Sequence, residues 1–293
     1  MDYSIVTTIR GYPVLIFYRP TEDDDYEFVG KYNLNLDKAT SEPFGFFPDP
    51  SEKPNEITTS TFGWGEENEE IIETIHCYEF LNNADALTNF LTPPETYGYL
   101  QNGQYIQAQT YEEICKSNYR LVDGVWQEVK NEDGKHCPLW FNSYESRYPE
   151  GEEDDGSDIN IDSFLRLCSW INSTDTTGLA GAARQEKIDK FKNEASEYLN
   201  IKFTTFYYIL THLLLMIDSR AKNMMIATWD NKIWYPIFYD MDTMLGLNNY
   251  GYNKFNYDIE DIDANVYNGQ NSVLWNNFRE AFPNEIRDMY NQL

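Results

Sequence analysis

The stretch MIDSRAKNMMIATWDNKIWYPIFYDMD, residues 216–242, holds the most chemically suggestive residues of the chain. Asp218 stands five positions before Asn223, and an apolar run separates this pair from Asp240 and Asp242. One carboxylate able to accept a proton from a hydroxyl, with an amide and a carboxylate able to hold Mg2+, is the set that phosphoryl transfer requires. Arg220 and Lys222 lie between and could hold phosphate, or could pair with the abundant acids. The same Asp and Asn types also serve as plain caps at helix ends and strand starts. The chemistry therefore depends on whether the fold brings them together.

The neighbouring elements must do this. FTTFYYILTHLLLMID, 203–218, reads as a helix that is apolar around most of its circumference, hence central, and ends near Asp218. His212 on it reads as a core residue rather than a catalyst. An irregular turn, SRAK, leads to Asn223 and a strand. NMMIATW and KIWYPIFY flank Asp230-Asn231 and read as a hairpin. A hairpin folds the chain back on itself, which returns Asp240 toward Asn223 and Asp218.

The rest of the chain alternates between strand and helix patterns. SIVTTI and PVLIFYR flank Gly11-Tyr12-Pro13, a turn signal, and an acidic turn, PTEDDD, leads to the alternating YEFVGKYNLNLD. The Pro- and Gly-rich EPFGFFPDPSEKPNE is a loop. Residues 66–91 read as a helix that opens on Glu residues, with Ile71, Ile72, Ile75, Tyr78 and Glu79 at helical spacing. Residues 97–130 return to strands and turns, with Asp123-Gly124 a strong hairpin signal. YPEGEEDDGSDINID, 148–162, is an acidic loop containing Asp158, Asn160 and Asp162 at alternate positions. A calcium-binding EF-hand loop would need Gly and Glu where Ser163 and Ser169 stand, so that motif is rejected. Asp162 reads instead as the cap of a helix whose face is Phe164, Leu167, Cys168 and Ile171. A charged helix follows from about Ala180 to Leu199. A long polar, aromatic stretch after Leu245 reads as an extended loop, and two short helices broken at Pro283 close the sequence. The fold class is α+β.

Composition narrows the function. With 49 acidic and 22 basic residues the formal charge is −27, which repels nucleic-acid backbones and anionic lipid. No direct binding to a nucleic-acid backbone is expected on this ground. Membrane insertion is excluded because the most apolar run, 203–218, is too short to span a bilayer. MDYSIVTTIR lacks the basic and apolar regions of a signal peptide. Cys77, Cys115, Cys137 and Cys168 form no C-x-x-C pair and are too few for a disulfide framework, which suggests folding in a reducing compartment. The abundance of Tyr, Phe and Trp suits core packing or a surface that packs in an assembly.

An acid and an Asn five apart, a hairpin, and then an acid ahead of Gly246 is an order also found in protein-kinase-like folds. The stretch resembles the spore-coat CotH family of atypical kinases, on PIFYDMD followed by Leu245-Gly246. The resemblance implies a two-lobed fold: a β-rich N-lobe with one helix, 1–96; a connector containing a β-hairpin, 97–147; and a mainly helical C-lobe, 148–293, carrying a catalytic-loop-like segment, 216–246. It assigns Asp218 the position of catalytic base, Asn223 and Asp240 those of metal ligands, and Asp242 that of a second acidic ligand. Mg2+ and ATP would be the cofactors of an active site. The family's phosphate-binding Lys lies in a strand similar to YNLNLDK, Tyr32–Lys38, where Asn35 takes its place. Lys31 and Lys38 are the nearby cations, and Glu73 or Glu79 would be the helix acid that pairs with such a Lys. A neutral residue at that position implies a degenerate kinase frame used as a scaffold. The alternatives are an active atypical kinase that uses Lys31 or Lys38, and a calcium-stabilised binding module built on the acidic loops.

GYPVLIFYR, CYEFLNN, ESRYPE, RAKNMMIATWDNKIWYPIFYDMDTMLG and VYNGQNSVLW also resemble segments of large structural proteins of tailed bacteriophages, nearest those of crAss-like podoviruses. This implies a tail-associated virion protein, made in the bacterial host cytoplasm and assembled with other tail proteins into an oligomeric structure, alone or as part of a larger polypeptide.

Overall fold

The computed structural model describes residues 11–19, 21, 25–35, 76–81, 86–149, 151, 153, 155–216, 219–239, 245 and 271–293. Within them the chain is a mixed α+β structure with six α-helices and three antiparallel sheets. A two-stranded sheet pairs β1 (Gly11–Tyr18) with β2 (Glu27–Asn35). A four-stranded sheet has the order β10 (Trp234–Ile237), β9 (Met225–Thr228), β3 (His76–Phe80), β8 (Tyr144–Tyr148). A second has the order β5 (Gln104–Gln107), β4 (Tyr97–Gln101), β6 (Tyr119–Val122), β7 (Val125–Glu128). The helices are α1 (Tyr111–Lys116), α2 (Asp162–Ser173), α3 (Gly181–Glu194), α4 (Ile201–Leu213), α5 (Val273–Ala281) and α6 (Pro283–Tyr290).

The β10-β9-β3-β8 sheet frames the core and draws strands from the 1–96, 97–147 and 148–293 spans alike. β3 is buried along its whole length, between β9 and β8. It corrects the helix expected over 66–91: residues 76–80 are a strand. A strand covered on both faces has no polar alternation, so HCYEF carries no period-2 signal. Residues 66–75 lie outside the described residues. Phe164 of α2 packs against this sheet, with ring centroids 4.4 Å from Tyr78, 4.8 Å from Tyr144 and 5.6 Å from Trp234. Leu167, Cys168 and Ile171 are fully buried with it, as the helical spacing required. Asp162 is the first helical residue rather than the cap. Asn160 accepts the Asp162 N–H through its side chain, and the Asp162 carboxylate is bound to Lys116 at 2.7 Å.

Two further expectations are corrected. Gly11-Tyr12-Pro13 is no turn but the start of β1, with Pro13 opposite Asn33. A two-stranded sheet has only edge strands, where the missing N–H of Pro is tolerated. α4 ends at Leu213, five residues before Asp218. Met216 N–H donates to Thr211 O at 2.9 Å and Leu215 N–H to His212 O at 3.2 Å, around Leu215 at φ 51°. This is the Schellman helix stop, built here without its usual glycine.

The hairpins follow their signals. Asp123 and Gly124 both take positive φ between β6 and β7, as a two-residue type I′ turn requires. The Asp230 carboxylate accepts the N–H groups of Lys232 and Ile233, closing the β9–β10 turn. No helix among the described residues is long and apolar enough to cross a membrane.

Candidate functional site

The described part of the 216–242 stretch is a pinned frame. On the helix side, Tyr207 of α4 donates its hydroxyl proton to Ser219 O at 2.6 Å. Burial pushes that phenol's pKa up, and nearby Arg220 opposes the shift. Arg220 is buried. Its guanidinium donates to Thr211 Oγ1 at 3.2 Å and to Tyr208 O at 3.3 Å, and lies 4.5 Å from the centroid of the Tyr208 ring. Its own carbonyl accepts the indole N–H of Trp275 at 2.8 Å. Arg220 thus folds back onto α4 and ties the turn to α4 and α5. Lys222 is half-buried on the same turn. His212 is half-buried rather than a core residue, and lines a groove between α4 and α6.

Asn223 marks the entry into the sheet. It adopts φ 55°, a left-handed conformation that Asn tolerates better than most residues. Its N–H donates to Phe80 O at 3.1 Å, and Phe80 N–H donates to Met224 O at 2.9 Å, so the chain locks onto the end of β3 here. In the hairpin, Met225 pairs with Ile237 and Thr228 with Trp234. Carried two residues further, this register brings Tyr239 level with Asn223. Of the residues assigned to catalysis and binding, Asn223 and the Lys31 backbone are described. Lys31 lies on β2 opposite Leu15, and Asn35 opposite Gly11. Asp218, Lys38, Asp240 and Asp242 lie outside the described residues, as does Glu73.

Glu79, a candidate for the helix acid, is on strand β3 instead. Arg147 of β8 donates to it through Nε at 2.7 Å, with a second guanidinium nitrogen at 2.6 Å from the same oxygen, and Arg147 also pairs with Glu145. Both members of the Glu79–Arg147 pair are largely buried, so this acid already has its cation. In the acidic loop, the Asp158 carboxylate accepts the Glu153 N–H at 3.3 Å, while Asn160 and Asp162 are engaged at the start of α2. Among the described residues no three His, Cys, Asp or Glu side chains are grouped to hold a metal ion. All four cysteines are free and buried, and burial raises the pKa of Cys77, Cys137 and Cys168.

The roles of Arg220, Trp275 and Arg147 have no signature in the sequence. Their partners lie 9, 55 and 68 positions away in some cases, and nothing local marks such pairs. No protein-family model matches the chain, and no curated protein matches it in sequence.

Proposed function

We propose that the chain is a structural, tail-associated virion protein of a tailed bacteriophage, built on a two-lobed, CotH-kinase-like frame with a degenerate site. The observation that carries the assembly reading is the β1–β2 hairpin. Leu15, Phe17, Tyr18, Tyr26, Phe28 and Val29 on it are each 50–62% exposed. Phe17 and Phe28 pair across the strands at 5.3 Å, but among the described residues the two strands pair only with each other. An isolated two-stranded hairpin is marginal in water, and an exposed apolar patch of this kind marks a surface that another protein covers. The acidic surface favours basic partners among the other tail proteins.

Support for the kinase-like frame is the order of a buried helix, an Asn-led strand and a hairpin whose register returns the chain to the level of Asn223. Support for degeneracy is Asn35 on β2, in the place of a phosphate-binding Lys, with Arg220 folded back into the interior. Without a cation on the nucleotide phosphates, the electrostatic stabilisation of transfer is largely lost. The second reading is an active kinase using Mg2+ and ATP, with Asp218 as base, Asn223, Asp240 and Asp242 on the metal, and Lys31 or Lys38 on the phosphates.

Two measurements test this. Mg-ATP should leave the melting temperature unchanged, and labelled ATP should transfer no phosphate. Transfer that disappears in Asp240→Ala would replace the scaffold reading with the kinase reading. The chain should also co-sediment with intact particles, and a Phe17→Ser, Phe28→Ser variant of unchanged melting temperature should fail to incorporate. Normal incorporation of that variant would remove the hairpin from the interface.

A further inference from the structure

The hairpin of β4 and β5 leaves the outer side of β5 without a strand partner among the described residues. β5 is the last strand of the β5-β4-β6-β7 sheet. Asn102 and Gly103 turn the hairpin at φ 50° and 77°, the type I′ geometry that makes Gln101 and Gln104 a hydrogen-bonded pair. At the other end Ala108 N–H donates to Tyr97 O at 2.9 Å. Gln104, Ile106 and Ala108 thus turn their backbone groups toward β4. By the alternation of an antiparallel ladder, the N–H and C=O groups of Tyr105 and Gln107 point outward from the edge. Gln107 O accepts the side-chain amide of the exposed Gln109 at 3.2 Å, which leaves its second lone pair open.

Natural sheets defend such an edge with charge, proline or cover. The other sheet edges among the described residues are defended in this way. β7 carries Glu128, and β8 carries Glu145 and Arg147. β10 contains Pro236, and its Trp234 bonds to Tyr198 and Asn200. β1 contains Pro13, and β2 contains Glu27 and Lys31. β5 has none of these, and no charged residue occurs from 97 to 110 in a chain that is 24% charged. Of the acids beyond that run, Glu95 precedes β4, and Glu112 pairs with Lys116 at 2.9 Å. Glu113 binds the N–H groups of Gln109 and Thr110. The edge is also well ordered for docking. Gln104, Tyr105 and Gln107 are exposed, while the Tyr105 ring stacks on Trp126 with centroids 5.4 Å apart and planes 11° from parallel.

We propose that β5 pairs with β5 of a second copy of this chain, antiparallel about a two-fold axis at Ile106. Ile106 then faces its own counterpart. Tyr105 and Gln107 of one copy exchange N–H···O=C bonds with Gln107 and Tyr105 of the other. This register keeps the face that carries Tyr105 and Trp126 on one side of the joined sheet, as a slip by one residue would not. Charge selects the occupant. Two chains of −27 repel each other, and an uncharged strand is where they meet without opposing like charges. A basic partner, which the rest of the surface favours, finds no carboxylate on β5 to pair with. Each copy uses its β5 once, so the contact closes as a dimer and does not propagate. The inference is independent of the virion reading.

Sedimentation equilibrium of the full chain tests this, and should show monomer and dimer and nothing larger. Dimerisation should strengthen about three-fold or more between 10 and 150 mM NaCl, as the repulsion between copies is screened. Gln107→Pro removes an outward N–H and none that bonds to β4, a change that an edge strand tolerates. It should weaken dimerisation about ten-fold or more with little change in melting temperature. Ile106→Cys tests the register without relying on that variant. Facing residues at a non-hydrogen-bonded site lie about 4.5 Å apart at Cα, within reach of a disulfide. Oxidised glutathione should therefore link its copies. It should not link those of Gln104→Cys, or of the wild type, whose four cysteines are buried. A chain that stays monomeric up to about 200 µM overturns the proposal and leaves the edge to a strand of another protein. Growth beyond the dimer, unchanged dimerisation in Gln107→Pro, or equal linkage of Ile106→Cys and Gln104→Cys would each overturn it as well.

Discussion

Arg147 illustrates how a single side chain can hold a buried sheet together. Its guanidinium satisfies Glu79 at the centre of the sheet and also reaches Glu145 on its own strand. Arg147→Ala would leave the Glu79 carboxylate buried beside an apolar cavity. Removing one partner of a buried pair costs about 3–5 kcal/mol, which urea denaturation would read as a lower midpoint. The double variant Glu79→Gln, Arg147→Met should recover much of that loss. If the single and double variants were equally destabilised, the cost would come from packing rather than from the stranded charge. Gly98 on β4 is a second such point. A Cβ there would lie 2.2 Å from Ile106 O and 2.8 Å from the Trp126 ring. Gly98→Ala should therefore destabilise by about 1–3 kcal/mol through overpacking, measured in the same way. At this scale the sequence was informative where a residue's role is local. Asp123-Gly124 and Asp230 build turns from their own backbone and were legible. Arg220 and Arg147 act on partners that only the tertiary fold supplies, and were not.

Among the elements, α1 shows what a short helix needs. Thr110 accepts the Glu113 N–H at 3.1 Å, and the Glu113 carboxylate accepts the N–H groups of Gln109 and Thr110 at 2.7 and 3.0 Å. This capping box satisfies donors that a six-residue helix could not otherwise cover. The strands and turns expected over 97–130 miss this helix, because six residues are too few for a helical period and T-Y-E-E is its one local signal. Thr110→Ala should cost about 1 kcal/mol, seen as faster amide exchange in α1. The Gln109 and Thr110 N–H groups hold the Glu113 carboxyl below the ordinary carboxylate range. A depressed folded-state pKa means that this contribution is present at neutral pH, and is lost as the pH falls below the unfolded value through the folded one. Amide protection of α1 should fall across that acidic window, and Glu113→Gln should flatten the profile. α2 was legible because its buried residues recur at helical spacing. β3 was not, because burial on both faces erases alternation. The end of α4 was misplaced because Leu215, not glycine, occupies the left-handed position.

For the whole molecule, charge is the main lever. At −27 the folded chain repels itself, and salt screens that repulsion over roughly 10 Å at 0.1 M. The melting temperature should rise between 10 and 150 mM NaCl. A fall would mean that ion pairs such as Arg184–Glu280, between α3 and α5, outweigh the general repulsion. The α+β class was legible from the alternation of strand and helix patterns. The way the sheet is shared between distant spans was not, because register between segments far apart leaves no local mark.

That sharing also sets a clock. His76 pairs with Thr228 and Phe80 with Tyr144, so β3 must wait for chain synthesised long after it. At about 5–20 residues per second, the roughly 150 residues between the first pair take on the order of 8–30 seconds to emerge. β8 emerges well before β9, so for much of that interval β3 can pair on one edge only, and its buried side chains lack the β9 side of their packing. The nascent chain is thus a natural client for chaperones and exposed to mispairing with its own copies. Its yield in a cell is governed as much by the speed and crowding of translation as by the stability of the finished fold.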